Sequence, residues 1–227
     1  DMALSIEHNS KFIFTCRPLI RHASVGFFQL RLTGLTQNNT IEYFLEGNTS
    51  ISPDKLIEYA KKSHCLTNGH ALWLSLIRAQ ARRGEVRLTK FLEEIESGST
   101  FDNNDSSILS EKVLNSIWVL LADRDRLVLR TLAESVKAET SEDYSDILRP
   151  ELNYKNFQKA LKALRNLNLI VERRETDYIE LHPLVKEFIR KNYQISERSR
   201  YISLFIKYYD KFVFVLKERL SYKLSFD

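Results

Sequence analysis

The sequence predicts a mainly α-helical chain with a β-hairpin near its C-terminal end and a short α/β strand remnant at its start. Three observations predict it. Apolar residues recur at helical spacing through most of the stretch after Thr36, as in Phe157, Ala160, Leu161 and Leu164. Residues 169–174 and 178–182 are strand-like runs around a polar turn, Glu175-Thr176-Asp177. Residues 11–16 and 27–32 are β-branched and aromatic, with Phe12, Ile13 and Phe14 consecutive, as expected of a strand buried on both faces.

Composition narrows the class. A chain of 227 residues has room for one or two domains. It is 43% hydrophobic and 28% charged, with six glycines and four prolines, the balance of a soluble globular protein. A net charge of +4 implies neither nucleic acid nor membrane by itself. Cys16 and Cys65 lie far apart without metal-ligand spacing, so a reducing cytoplasm is the expected setting. No cationic segment leads into an apolar run at the start, and the apolar run 212–216 is too short to span a bilayer.

In chain order, the two N-terminal strands cannot make a stable sheet alone. They are expected to be the end of a larger α/β domain, over residues 1–35. A helical domain is expected over 36–109. Thr36 caps its first helix, which carries Ile41, Phe44 and Leu45 and closes at Gly47-Asn48. Pro53 starts a second, with Leu56, Ile57, Tyr59 and Ala60 as its apolar positions. Thr67-Asn68-Gly69 leads into a third, with Leu72, Leu74, Leu76 and Ile77, ending at Arg82-Arg83-Gly84. The polar stretch 96–107 reads as a linker.

From about residue 110 to 195 the pattern is that of a compact αβ unit. Leu114, Ile117, Trp118 and Leu121 mark one helix, and Leu127, Val128, Leu129 and Leu132 the next. Residues 144–148 form a short element, and Asn153 begins a helix along Phe157 and Leu164. Helices followed by a two-stranded wing make a winged helix. Residues 196–227 form a final helix with a broad aromatic surface from Tyr201 to Leu216, either folded back on the winged helix or facing a following helical array.

The corner between hairpin and next helix is the leading site candidate. Along residues 178–181, Ile179 and Leu181 point one way, and Tyr178 and Glu180 the other. Parity then turns His182 away from its own core, towards solvent, a ligand or a neighbouring domain. The plainer alternative is a histidine capping the helix that Pro183 begins.

The order Thr15-Cys16-Arg17-Pro18, Leu30-Arg31-Leu32-Thr33-Gly34-Leu35, Asn68-Gly69-His70-Ala71-Leu72, then Leu181-His182-Pro183-Leu184 resembles the C-terminal half of a STAND-class signalling ATPase of the NB-ARC/NACHT type. The resemblance spans nearly the whole chain, though each motif is short. It implies that Arg17 is a sensor arginine reading the terminal phosphate, for which a permanently charged, bidentate guanidinium is suited. It implies that Gly69 and Ala71 occupy the family's Gly-x-Pro-Leu turn against adenine, with alanine in place of the proline. His182 would match the histidine that reaches the β-phosphate of ADP and locks the closed state; imidazole can donate to phosphate. The implied ligand is ADP or ATP, with Mg²⁺ in the intact parent. The implied partners are a P-loop domain of the same protein and further copies on activation, with no membrane. Such a parent would serve signal transduction, in transcriptional control, immunity or defence.

This sequence holds no Gly-x-x-x-x-Gly-Lys-Ser/Thr loop and no acidic Mg²⁺-binding strand before Lys11, so ATP turnover by this chain alone is not expected. No Ser/His/Asp, Cys/His or metal-ligand constellation suggests another catalyst. Two alternatives stand beside the switch. Lys155, Lys159, Lys162 and Asn166 share one helical face, as in a DNA-binding winged helix. Against DNA, Glu172, Glu175, Asp177 and Glu180 outnumber Arg173 and Arg174 in the wing. The other alternative is a protein-interaction module docking through the final aromatic helix.

Overall fold

Several helix starts are set locally in this chain, by a capping side chain or a proline in the first turn. The computed structural model describes residues 32–47, 49–97, 106–172 and 177–224. Arg17, the strand expected at 11–16, all but the last residue of that at 27–32, and the wing turn at 173–176 lie outside these. Residues 34–227 form one compact unit. Thr36 Oγ1 accepts from Asn39 N at the start of α1 (Gln37–Leu45), and Pro53 opens α2 (Pro53–Thr67). Then follow α3 (Ala71–Ala81) and α4 (Glu85–Ser97). Leu88, Phe91, Leu92 and Ile95 make α4 a fourth buried stripe, which occupies the first two residues of the expected linker. Arg78 is almost buried and lies over the Tyr43 ring at 4.2 Å, tying α3 to α1.

The next helices are α5 (Ser106–Leu120) and α6 (Asp123–Glu134). A two-residue strand, β1 (Glu139–Thr140), then leads into α7 (Ser141–Leu148) through a capping box between Thr140 and Asp143. Asn153 caps α8 (Tyr154–Asn166), whose Phe157, Ala160, Leu161 and Leu164 are buried. Strands β2 (Ile170–Glu172) and β3 (Tyr178–Leu181) are antiparallel, and β1 adds to the other edge of β3. The fold is therefore mainly helical with a small three-stranded antiparallel sheet in the order β1-β3-β2. β2 begins one residue later than the sequence suggests, because Leu169 still belongs to the α8 turn, its N–H bonded to Leu164 O.

Helix α9 (Pro183–Asn192) and the long α10 (Ile195–Leu224) complete the chain. One continuous core runs from Phe44 in α1 to Phe205 in α10. The fold-back expected of α10 is found in its first part only. Tyr201, Leu204 and Phe205 are buried, whereas Phe212, Val213, Phe214, Val215, Leu216 and Leu220 stay exposed. No helix among the described residues is long and apolar enough to cross a membrane.

Candidate functional site

Parity along β3 follows the expected alternation: Ile179 and Leu181 are buried, Tyr178 exposed and Glu180 half-buried. His182 follows in the N-cap position of α9 and is half-buried. Its Nδ1 accepts from Leu184 N at 3.3 Å, and its carbonyl accepts from Val185 and Lys186. The capping role is thus real, and it has a chemical consequence. A ring nitrogen that accepts carries no proton, so the neutral imidazole holds its proton on Nε2. The cap fixes both the ring's orientation and its tautomer.

Gly69 and Ala71 sit where α2 ends and α3 begins. Asn68 adopts a left-handed conformation (φ 48°) and Gly69 another (φ 73°). Leu35 N donates to Gly69 O at 2.8 Å, and His64 Nε2 donates to Leu35 O at 3.0 Å. A Cβ on Gly69 would stand 2.2 Å from Leu35 O, and one on Gly34 would stand 2.4 Å from Asn68 O. The backbone of residues 34–35 therefore fills the space beside this turn. Gly69 is demanded by chain packing rather than by room for a ligand. Ala71 is the exposed first residue of α3.

Beside Ala71 stands a residue that sequence reasoning passed over. His70 is exposed, but its ring stacks on the buried Trp73 with centroids 5.4 Å apart and planes 26° apart. Desolvation there lowers its pKa below the ordinary histidine value, which keeps the ring neutral at pH 7.

Sheet register connects the two corners. Ile170 pairs with Leu181, so His182 lies beyond that pair, on the side of Leu169 and Asn168. Asn168, in left-handed conformation (φ 55°), donates from Nδ2 to Ser75 O at 3.0 Å, and Ser75 is one turn along α3 from Ala71. Asn168 thus holds the His182 corner and the first half of α3 on the same flank. The signal for it, an asparagine just past a helix end, was present in the sequence. Its partner, 93 residues away, was not.

Among the described residues no group of three or more His, Cys, Asp or Glu side chains could hold a metal ion. Arg17 lies outside them. No model of a known protein family and no curated protein matches this chain.

Proposed function

We propose that this chain is the regulatory, nucleotide-sensing portion of a STAND-type ATPase switch, with residues 110–195 a winged-helix unit whose His182 faces the phosphates of ADP in the intact parent. The observation that carries this is the His182 corner. Its place between β3 and α9 and its cap to Leu184 N orient the ring, and an imidazole N–H is the kind of donor a phosphate oxygen requires. The order α6, β1, α7, α8, β2, β3 supports the winged-helix assignment, with α8 preceding the wing. On the helical side, His70 supplies the flat neutral face that Ala71, standing in place of proline, does not. Gly69 serves the turn itself. Arg17 would add a second phosphate contact from the preceding domain, and the P-loop and Mg²⁺ would come from that domain as well.

The test uses the parent protein, P-loop domain included. A closed-state hydrogen bond contributes roughly 0.5–3 kcal/mol, so its loss should lower the closed-to-open ratio by a factor of about 2 to 150. His182→Ala removes the cap along with the donor. His182→Asn is the cleaner variant, since asparagine is a good N-cap that accepts from the same turn. Both variants should release ADP faster and raise basal signalling. Unchanged ADP release in His182→Asn, with the fold intact by circular dichroism, would end the phosphate assignment. For the DNA alternative, a gel shift should show no binding with a steep salt dependence.

A further inference from the structure

We infer that α9 is a coupling rod: the state of the His182 corner sets how firmly the base of α10 is held. At its N-terminal end the helix is closed by the His182 imidazole, bonded to Leu184 N, and by the His182 carbonyl. Anything that draws on the ring therefore draws on the first turn. Along its length α9 is gripped rather than merely packed. Val185 and Ile189 are buried. Lys186 Nζ donates to Ser135 O, and Arg190 Nε donates to Ala133 O at 2.8 Å. Two cations of α9 thus complete the open carbonyls at the C-terminal end of α6, where the helix dipole favours them.

The far end carries the joint. Tyr193 follows α9, and its ring lies 3.7 Å from the centre of the Arg130 guanidinium. The same guanidinium lies 4.5 Å from the ring of Tyr201 in α10 and donates to Glu197 O at 3.3 Å. One arginine of α6 therefore holds the end of α9 and the start of α10 together. Trp118 packs on Tyr193 at 5.7 Å from behind. Between the last residue of α9, Asn192, and the first of α10, Ile195, stand only Tyr193 and Gln194. With Arg130 clamped on Tyr193, Tyr201 and Glu197 O, this short connection is restrained from absorbing a displacement by flexing. A rod of ten residues spans about 15 Å. It moves as a unit, and what it moves is the base of the longest helix in the chain.

This inference rests on the switch reading for its purpose, but its test needs no nucleotide, so the two can fail separately. Hydrogen exchange on this chain would be followed at the first turn of α9 and at residues 195–205, in wild type, His182→Ala, Arg130→Gln and the double variant. Losing a cap opens a helix end by roughly three- to thirtyfold. His182→Ala should speed exchange by such a factor at Val185 to Glu187 and by several-fold at the α10 base. His182→Asn should restore both. In the Arg130→Gln background the α9 effect should persist while the added effect on α10 disappears, which is the signature of coupling through that joint. An effect of His182→Ala confined to the first turn of α9, or an α10 effect that survives Arg130→Gln unchanged, would overturn the rod. Unchanged ADP release from the His182→Asn parent would overturn only the phosphate assignment.

Discussion

Up to Tyr209, helix α10 commits one face, with Tyr201, Leu204 and Phe205, to the body of the chain, whereas from Asp210 to Ser221 every side chain is exposed. The apolar content of the two halves is similar, so hydrophobicity does not explain the difference. Partners do. In the first half, Arg198 makes a bidentate pair with the buried Glu134, at 2.7 and 2.8 Å, and Arg200 pairs with Glu151. Tyr208 donates to Asp143 at 2.6 Å, and Tyr209 donates to Glu139. Each contact joins α10 to α6, β1, α7 or the α7–α8 turn, and together they fix the register in which Leu204 and Phe205 reach the core. In the second half, residues 212–216 are five consecutive apolar side chains. Such a run points to every side of a helix, and no single neighbour could bury it. Burial along one helix is thus decided by whether polar anchors select a face.

The largest expected effect breaks the comparison at its core. Phe205 is buried and meets Tyr144 edge-on at 6.4 Å. Phe205→Ala should lower the unfolding free energy by about 3 kcal/mol or more, through lost apolar burial and the cavity left behind. Urea denaturation would read this as a fall in midpoint. A change below about 1 kcal/mol would mean that the first half of α10 is attached loosely and that the exposed half is no different in kind.

The polar anchors should be visible in the pH dependence of stability. Burial, and then hydrogen bonding to Asp143, raises the Tyr208 pKa above the ordinary value of 10.0. Burial and Glu139 do the same for Tyr209. Groups with a raised folded pKa hold their protons longer than the unfolded chain does, so their stabilisation is complete below about pH 10 and is lost as pH rises further. Asp143 contributes the opposite limb. Burial works to raise its pKa, but hydrogen bonds from Tyr208 and Thr140 outweigh this and hold it below 3.8, so its stabilisation is lost as pH falls through the acid range. Replacing Tyr208 and Tyr209 by Phe should cost about 1 kcal/mol for each hydrogen bond at pH 7 and flatten the alkaline limb. Part of that limb should persist through Tyr144, which burial pushes up to about 12. Thermal unfolding between pH 7 and 11 checks this. An alkaline limb as steep in the double variant as in wild type would remove the tyrosines from the attachment.

What could be read from sequence divides along the same line as α10 itself. Thr36, Pro53, Asn153 and Pro183 act within one turn of their own position, and each marks a helix start where the sequence places it. The stripe of α8 and the alternation of β3 are equally local, and both are found. The α4 stripe was present in Leu88, Phe91, Leu92 and Ile95 but is masked by the polar composition of the residues that follow. β1 has two residues and no period to detect; it exists because the edge of β3 has groups to pair. Arg130 could not be recognised, because its meaning depends on Tyr193 and Tyr201, brought together only by the fold. His182 lies between these cases. Strand parity predicts an outward direction for it, whereas its place as the half-buried N-cap of α9 required the coordinates.

The smallest expected effect belongs to the exposed half. Phe212 is 52% and Leu216 58% exposed. They are one helical turn apart, so a Phe212→Ser/Leu216→Ser double variant changes one continuous patch. Neither residue belongs to the core that reaches Phe205, and Phe212 meets the ring of Tyr208 at 5.0 Å. The double variant should therefore leave the urea midpoint within about 0.5 kcal/mol of wild type, the usual range for surface substitutions. Its effect should appear instead in self-association, because a contiguous exposed apolar patch promotes contact between molecules. Light scattering over a concentration series should show less association than wild type. A clear loss of stability with no change in association would show that this half of α10 is held by the chain after all, and the contrast between the two halves would have to be withdrawn.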